Sequence, residues 1–175
     1  SKFRNNGQVC ISPSKFYVQS KKKKDFINLF LEKTKKLKIG NGMDENVQLG
    51  PLTTKKRLNE IEELVEKTKK EGAKVLLGGK RPSGFNKGFY YEPTIFDEVK
   101  DDFTIMKQEP FGPLCPMLSF ETFDEVIKRA NNHELGLASY ICTNSMEIAN
   151  KASEQIETGA VAINHPLVAQ AEAPF

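Results

Sequence analysis

The sequence predicts an α/β fold in which a mostly parallel sheet is flanked by helices. Short runs typical of strands alternate with runs that repeat apolar residues at helical spacing. From residue 114 onward the order is strand, helix, strand, helix, strand, which favours right-handed crossovers between parallel strands. The 175 residues, 38% of them hydrophobic, suit one domain with a buried core. With no internal repeat and no linker, we expect a single domain over residues 1–175.

Four helices are predicted from the periodicity of the apolar residues. The first spans residues 25–38 beneath a lysine-rich outer face, and the second spans residues 55–71. The segment "TFDE" provides a capping box that begins the third helix at Thr122. The fourth helix is expected to begin at Asn144 or Ser145.

Six strand-like runs lie between and after these helices. A glycine-rich stretch at 78–93 predicts an exposed turn that leads into a strand or a hairpin. The runs are "KFYVQ", "KVLL", "PTIF", "CPMLSF", "ASYICT" and "GAVAIN".

The composition argues against several classes of function. A formal net charge of +3 is too small to indicate a nucleic-acid partner, and we interpret the one basic block, Lys21–Lys24, as a solvated helix start. No apolar run approaches the roughly 18–20 residues of a membrane span. We therefore expect a cytoplasmic protein whose partners are small molecules, without nucleic acid or membrane.

The cysteines and histidines indicate a reduced chain without a metal site. Cys10, Cys115 and Cys142 do not make a disulfide scaffold in a chain of this length, and no Cys-x-x-Cys pair exists. His133 and His165 lie far from each other and from the cysteines in sequence, so a zinc signature is absent. Cys115 and Cys142 fall in apolar strand runs, which predicts that both are buried. His133, in a helix C-terminal turn, is expected to be exposed.

Cys10 is the first candidate for chemistry. It lies in "NNGQVCISPS", where a glycine turn precedes a predicted strand. A thiol in a loop at the edge of a sheet is accessible, and its backbone amide can point at a developing oxyanion. From the residues alone four interpretations stay open: a nucleophile, a metal ligand, half of a disulfide, or a small buried side chain.

The second candidate is the loop "KQEPFGPLCP". Gly112 and two prolines prevent regular structure around Phe111, so an acid and an aromatic ring are displayed from a rigid turn. The Glu109 carboxylate could accept hydrogen bonds from ligand hydroxyls, and the ring could pack on a flat cofactor. By itself the segment is also compatible with an ordinary turn.

Taken together and in this order, the two segments resemble the NAD(P)-dependent aldehyde dehydrogenase superfamily. "SKFRNNGQVCISPS" is similar to the active-site cysteine segment of that superfamily, and "EPFGP" is similar to its Glu-x-Phe-Gly-Pro motif. The resemblance covers the chain from Ser1 to Phe175 and continues in register through five further segments. Ser12 is a small departure, because the family usually has Ala, Gly or Cys there. The further segments are "GPLTTKKRL", "EGAKVLLGG", "GFYYEPTIF", "RANNHELGLASYICT" and "EAPF".

The resemblance implies a role for each matching residue. Cys10 corresponds to the nucleophile, whose thiolate adds to the aldehyde and forms a thiohemiacetal and then a thioester. The Cys10 backbone amide is expected to hold part of the oxyanion. Glu109 corresponds to the residue that binds the nicotinamide-side ribose hydroxyls, and Phe111 to the aromatic that positions the nicotinamide. The implied cofactor is NAD or NADP.

Other parts of the family machinery have no counterpart in residues 1–175. These parts are the Rossmann-type cofactor domain, the glutamate base and the asparagine of the oxyanion hole, and no glycine-rich phosphate loop follows a strand. "EAPF" is similar to the start of the family's Pro-Phe-Gly-Gly motif. We therefore interpret the chain as a catalytic domain truncated at both ends, inactive alone, from an enzyme expected to be a homo-oligomer.

The substrate class rests on a narrower resemblance. "KFRN" is similar to succinate-semialdehyde dehydrogenases, in which an arginine at the Arg4 position binds the distal carboxylate of the substrate. Gln170 falls near the position of the serine that completes that carboxylate site. Other aldehydes, such as lactaldehyde or glycolaldehyde, remain alternatives, and a surface arginine is the competing interpretation of Arg4.

Two interpretations from other classes also stay open. A cysteine hydrolase would need a histidine base near Cys10, and His133 and His165 are its candidates. A non-catalytic self-associating module is the other alternative.

Overall fold

The computed structural model describes residues 1–169 and 171 of the chain. The chain divides into two compact units, one of Lys2–Ser119 and one of Ser1 with the residues from Phe120 onward. The assignment of all 175 residues to one catalytic domain stays a prediction. None of the described helices is long and apolar enough to cross a membrane.

The unit of Lys2–Ser119 is built on a four-stranded sheet with helices. A 3-10 turn over Arg4–Gly7 precedes the first strand. The elements that follow are β1 (Phe16–Gln19), α1 (Ser20–Lys35), α2 (Lys55–Lys70), β2 (Lys74–Leu77), β3 (Thr94–Asp97), α3 (Thr104–Lys107) and β4 (Leu114–Phe120). The last residue of β4 belongs to the other unit.

The strand order in this sheet is β1-β4-β3-β2. Strands β3 and β4 are parallel, with Thr94 opposite Leu114, whereas β2 and β3 are antiparallel. The antiparallel pair agrees with the hairpin predicted for the glycine-rich stretch. The predicted α/β class with a mostly parallel sheet is confirmed, and β2–β3 is an antiparallel pair within it.

Both faces of β4 are buried, because successive side chains point to opposite sides of a strand. Leu114 and Leu118 belong to a cluster that includes the apolar stripe of α2. Cys115 and Met117 belong to a second cluster with Ile27 of α1 and Ile95 of β3. The predicted burial of Cys115 is therefore confirmed. The α2 stripe consists of Leu58, Ile61, Leu64 and Val65.

Helix α1 begins earlier than predicted, whereas α2 begins at its predicted residue. Helix α1 begins at Ser20, five residues before the predicted start at residue 25, so Lys21–Lys24 lie inside its first turns. The apolar repeat gave no signal there because this part of α1 is a row of lysines. Helix α2 begins as predicted, and the hydroxyl of its N-cap residue, Thr54, accepts a hydrogen bond from the Arg57 backbone N–H at 3.1 Å.

The second unit contains α4 (Phe123–Ala130), β5 (Ala138–Ile141), α5 (Met146–Gln155) and β6 (Ala160–Ile163). Strands β5 and β6 are parallel, as the alternating order predicts. The Thr122 hydroxyl accepts from the Glu125 backbone N–H at 3.3 Å, which confirms the predicted start of α4. Ser145 caps α5 in the same way through the Ile148 backbone N–H, at 3.3 Å.

Two predictions for this unit were wrong. Cys142 is exposed rather than buried, because it follows Ile141, the last paired residue of β5, and so lies beyond the pairing with β6. His133 is half-buried rather than exposed, and its Nδ1 atom is buried without a hydrogen-bond partner among the described residues.

Candidate active site

The segment that carries Cys10 is a tight left-handed turn. Asn5, Asn6 and Gly7 have φ angles of 47°, 54° and 73°, a region that asparagine and glycine enter more readily than other residues. The Asn6 backbone N–H donates to the Phe3 carbonyl oxygen at 3.1 Å. After this turn the side chain of Cys10 is exposed. The sequence therefore produces a loop thiol that reagents and substrates can reach.

Two buried amide side chains fix this loop to the residues that precede α2. The Asn6 side-chain amide donates to the carbonyl oxygen of Gly50. The Gln8 side-chain oxygen accepts hydrogen bonds from both the backbone N–H and the hydroxyl of Thr53, at 3.0 and 2.9 Å. Asn6 is 1% exposed and Gln8 is 9% exposed, so these bonds are largely shielded from water. The position of Cys10 is thus set by polar contacts with the segment "GPLTT".

The segment 109–112 connects α3 to β4 and displays the second candidate group. Glu109 is exposed, Pro110 is buried and Phe111 is half-buried. Phe111 has a φ of 41°, which is rare for a bulky residue. The next residue must be small, because a Cβ on Gly112 would lie 2.3 Å from Cδ1 of Ile61 in α2. Helix α2 therefore packs directly against the turn.

The two candidate segments meet through their glycines. A Cβ built on Gly7 would lie 2.2 Å from the carbonyl oxygen of Gly112, so the two backbones are in direct contact. Cys10 is three residues from Gly7, and Phe111 adjoins Gly112. The structure therefore brings the cysteine loop and the Glu109–Phe111 turn together within one unit, with Cys10 and Glu109 both open to solvent.

A shallow cleft of about 300 Å³ lies beside Glu109. The Arg57 guanidinium carbon is 5.9 Å from the centre of the Phe111 ring, within cation–π range, and Arg57 forms an ion pair with Glu60 at 3.0 Å. Arg57 carries no signal in the sequence, because nothing in "TTKKRL" distinguishes it from the neighbouring surface lysines. The lining residues are Arg57, Glu60, Leu64, Gln108, Glu109 and Pro110.

Lys2 is a second residue that the sequence analysis missed. Its side chain is buried, and its carbonyl oxygen accepts a hydrogen bond from the Ser12 hydroxyl at 3.1 Å. Burial lowers the pKa of Lys2, and the negative charges of Cys115 (when ionised) and Glu109 partly oppose that shift. Burial raises the pKa of Cys115 to about 12, so this thiol is neutral and unreactive at ordinary pH.

The other candidate residues from the sequence are Arg4, Gln170 and the two histidines. Arg4 is exposed at the start of the 3-10 turn, six residues before Cys10. Gln170 lies outside the described residues. The two histidines belong to the other unit of the chain. Within residues 1–169 and 171, no group of three or more His, Cys, Asp or Glu side chains could hold a metal ion.

The groups that are present suit a cofactor with hydroxyl groups and a flat ring. The exposed Glu109 carboxylate can accept hydrogen bonds from a diol, the Phe111 ring and the Arg57 guanidinium offer flat surfaces, and the cleft gives access from solvent. The Cys10 thiol lies in the neighbouring loop, where a carbonyl compound can reach it. The described residues therefore place an exposed thiol and an exposed carboxylate in two segments that are in contact.

Comparison with known proteins identifies the family of this chain. The chain matches the aldehyde dehydrogenase family over residues 1–175. A 3-sulfolactaldehyde dehydrogenase of Priestia megaterium is 41% identical over 162 residues, which are 93% of this chain and 33% of that protein. The chain spans about a third of the length of the curated relatives it matches.

Solved structures match the fold equally well. A 3,6-anhydro-L-galactose dehydrogenase in complex with NAP has a TM-score of 0.96 and 39% identity, covering 99% of this chain and 37% of that one. A succinate-semialdehyde dehydrogenase of Burkholderia pseudomallei has a TM-score of 0.96 and 34% identity, covering 100% of this chain and 36% of that one. The chain therefore belongs to the aldehyde dehydrogenase family.

Proposed function

We propose that this chain provides the cysteine nucleophile and part of the cofactor site of an NAD(P)-dependent aldehyde dehydrogenase. The observation that carries the proposal is the backbone contact between Gly7 and Gly112, beside which an exposed thiol and an exposed carboxylate lie in adjacent segments. A cysteine hydrolase would not need an acid and an aromatic ring displayed next to the thiol. Family membership favours oxidation over hydrolysis.

In this mechanism the Cys10 thiolate adds to the aldehyde carbon. A C–S bond forms, the carbonyl π electrons move to oxygen, and the Cys10 backbone N–H donates to the resulting oxyanion. Glu109 and Phe111 would hold NAD(P)+, which would supply the acceptor for the hydride that leaves this carbon. The product on Cys10 is a thioester. Water then attacks its carbonyl, the C–S bond breaks, and the carboxylate leaves while the thiolate is restored and two protons pass to solvent.

Glu109 and Phe111 are proposed to bind and orient the cofactor. The carboxylate of Glu109 accepts hydrogen bonds from ribose hydroxyls, which suits its exposure at the mouth of the cleft. The Phe111 ring, fixed by its left-handed backbone and by Arg57, limits how the nicotinamide can tilt. Both residues act by positioning the hydride acceptor against the carbon attached to Cys10.

We propose that the substrate is a small aliphatic aldehyde with a distal anionic group, such as succinate semialdehyde. Arg4 is exposed and precedes Cys10 by six residues, so its guanidinium is available to bind a carboxylate or a sulfonate. The names of two relatives, 3-sulfolactaldehyde dehydrogenase and succinate-semialdehyde dehydrogenase, describe aldehydes that carry such a group. Gln170 is proposed to donate a further hydrogen bond.

Residues 1–175 alone are proposed to lack significant dehydrogenase activity. The glutamate base, the second oxyanion-hole donor and a phosphate-binding loop have no counterpart in this sequence, and losing one oxyanion donor alone costs about 10²–10³ in rate. Robust NAD(P)-dependent oxidation by purified residues 1–175 would contradict this. The working enzyme is proposed to be a cytoplasmic homo-oligomer.

The test of the function uses the full-length enzyme that carries this segment. Cys10→Ser is expected to abolish aldehyde oxidation, with a trapped thioester visible by mass spectrometry in the parent enzyme only. Cys142→Ser, which changes the other exposed cysteine, is the matched control and keeps the activity. Loss of activity in both variants, or retention in both, contradicts the role of Cys10.

A further inference from the structure

Cys10 lies at the first corner of a tight turn over residues 9–12. The Ser12 backbone N–H donates to the Val9 carbonyl oxygen at 2.9 Å, which closes the turn around Cys10 and Ile11. This closing bond does not use the backbone N–H of the first corner residue, which stays available for another acceptor. The side chain of Cys10 is exposed. The turn therefore governs the directions of both the thiol and the amide that the proposed reaction uses.

A second bond from Ser12 ties this turn to the start of the chain. The Ser12 hydroxyl donates to the carbonyl oxygen of Lys2 at 3.1 Å, across ten positions of the sequence. Ser12 is half-buried, so water competes less for this bond than it would at the surface. The backbone and side-chain donors of Ser12 are therefore both engaged, one within the turn and the other on its support.

Lys2 is a fixed support because its side chain is packed inside the unit. Lys2 is 5% exposed. Its Nζ atom lies 3.3 Å from the point that a Cβ on Gly7 would occupy, and that point is 2.2 Å from the Gly112 carbonyl oxygen. The side chain thus reaches the contact between Gly7 and Gly112, which we call the junction. The bond from Ser12 to Lys2 therefore ties the turn to the place where the two site segments meet.

The chain before Cys10 is held by separate bonds. The Gln8 side-chain oxygen accepts from the backbone N–H and the hydroxyl of Thr53, and the Gln8 backbone N–H donates to the Asn5 carbonyl oxygen at 3.0 Å. Cys10 is thus held between an anchor two residues before it and an anchor two residues after it. Loss of the Ser12 hydroxyl would free the second side, so that the turn could tilt and carry the Cys10 amide with it.

We propose that Ser12 is a positioning residue that aims the Cys10 backbone N–H at the oxyanion formed from the aldehyde. This inference rests on the proposed function, because the oxyanion arises only if Cys10 adds to a carbonyl carbon. Ser12 acts through the turn and touches neither substrate nor cofactor. A small tilt of the turn is costly, because a hydrogen bond weakens steeply when its donor is misaligned.

The test compares Ser12→Ala, Ser12→Thr and Ser14→Ala in the full-length enzyme. Stopped-flow absorbance at saturating NAD(P)+ and aldehyde gives the rate of NAD(P)H formation in the first turnover. Ser12→Ala is expected to be about tenfold slower, which is less than the 10²–10³ that complete loss of an oxyanion donor costs. Ser12→Thr keeps a hydroxyl and should retain most of the rate. Ser14→Ala, which removes a half-buried hydroxyl from the same loop, is the matched control and should equal the parent.

Alkylation of Cys10 by iodoacetamide separates the amide from the thiol. In this reaction the thiolate forms a C–S bond and iodide leaves, so no oxyanion develops for the backbone N–H to bind. The alkylation rate of Ser12→Ala is therefore expected to stay within about twofold of the parent rate. Equal losses in alkylation and in aldehyde oxidation would mean that the substitution displaces the thiol itself, and would overturn the inference.

A purely structural role for Ser12 gives another pattern. Ser12→Ala then lowers the melting temperature but leaves the first-turnover rate at the parental value, which overturns the inference. A Ser12→Thr variant as slow as Ser12→Ala overturns it as well, because the hydroxyl would then not be the cause.

Failure of the proposed function is distinguishable from failure of this inference. A parent enzyme without NAD(P)-dependent aldehyde oxidation, or a Cys10→Ser variant that keeps this activity, overturns the proposed function and the inference with it. An active parent enzyme that depends on Cys10, but in which Ser12→Ala oxidises the aldehyde at the parental rate, overturns the inference alone.

Discussion

The side chain of Glu71 joins two helices by binding Thr104, the first residue of α3. One carboxylate oxygen accepts from the Thr104 backbone N–H at 2.9 Å and the other from its hydroxyl at 2.5 Å. Glu71 is the C-cap residue of α2, so the end of one helix caps the beginning of the next. Helix α3 ends at Lys107, two residues before Glu109, so this pair helps to fix the position of the turn that carries Glu109.

This pair predicts a pH dependence of stability. Burial acts to raise the pKa of Glu71, but the hydrogen bonds from Thr104 and the charges of Lys67 and Lys107 outweigh it, and the net pKa is lowered from 4.5. The folded state thus binds the proton less tightly than the unfolded state, so the contribution is present above pH 4.5 and is lost as the pH falls through the folded pKa. In urea denaturation, the Glu71→Gln variant should have a lower free energy of unfolding than the parent at pH 7. This difference should vanish in strong acid. A difference in the free energy of unfolding that grows as the pH falls would contradict this prediction. Glu63→Gln, at an exposed glutamate of α2, is the control.

Replacing Gly7 by alanine should destabilise the chain strongly. A methyl group there would collide with the Gly112 carbonyl oxygen, and the φ of 73° is unfavourable for any side chain. We expect a loss of about 2–4 kcal/mol in the free energy of unfolding, measured by urea denaturation. Gly42→Ala is the matched control, because a Cβ on Gly42 meets nothing within 4 Å. Equal losses in the two variants would mean that the contact between the segments is not tight.

The three cysteines should differ in their reactivity toward iodoacetamide. Cys10 and Cys142 are exposed and should be alkylated in the native chain, whereas Cys115 is buried and its thiolate is not available. Peptide mass spectrometry of the native chain and of the chain in urea provides the measurement. Modification of Cys115 at the rate of Cys142 under native conditions contradicts the described core.

Removing the side chain of Gln8 should loosen the cysteine loop. Gln8→Ala deletes the oxygen that accepts two hydrogen bonds from Thr53, so the Thr53 backbone N–H loses this acceptor. The expected cost is about 1–3 kcal/mol in the free energy of unfolding. Gln155→Ala at an exposed position of α5 is the control and should cost less than about 0.5 kcal/mol. If Gln8→Ala is as mild as its control, water replaces the lost bonds and the loop does not depend on them.

The role proposed for Arg4 predicts a selective effect on substrate. In the full-length enzyme, Arg4→Ala should raise the KM for succinate semialdehyde more than tenfold, because one charge-assisted pair is worth about 1.5–3 kcal/mol. The KM for propanal, which has no distal carboxylate, should change little. Steady-state kinetics on both aldehydes with the same enzyme preparation decides the matter. Equal effects on the two substrates would assign Arg4 to the loop rather than to the substrate.

The sequence was sufficient for those features that depend on local pattern. The helix α2, the caps at Thr122 and Ser145 and the parallel order of β5 and β6 all follow from short-range signals. The segments that carry Cys10 and Glu109 were identified from motif residues. Their contact through Gly7 and Gly112 could not be identified in that way, because it depends on how chain segments a hundred positions apart approach each other.

Lys2 and Cys142 show what a local pattern does not reveal. Nothing in "SKFR" distinguishes the lysine, and only the packing of the junction buries it. An apolar run such as "ASYICT" indicates a strand, but it does not tell which residue is the last to pair, so Cys142 fell one position outside β5. Both features depend on tertiary contacts, which leave no periodic pattern in a single sequence.

The burial of both faces of β4 in two different clusters has a consequence for how the site can vary. A slip of this strand by one residue would move Leu114 and Cys115 into each other's cluster and reverse the two faces along the strand. The packing of both clusters therefore opposes a change of register. An inserted or deleted residue between Phe111 and Leu114 could not be absorbed by sliding the strand, and the whole displacement would fall on the carboxylate at position 109. The number of residues between Glu109 and the sheet is therefore constrained by the packing of β4.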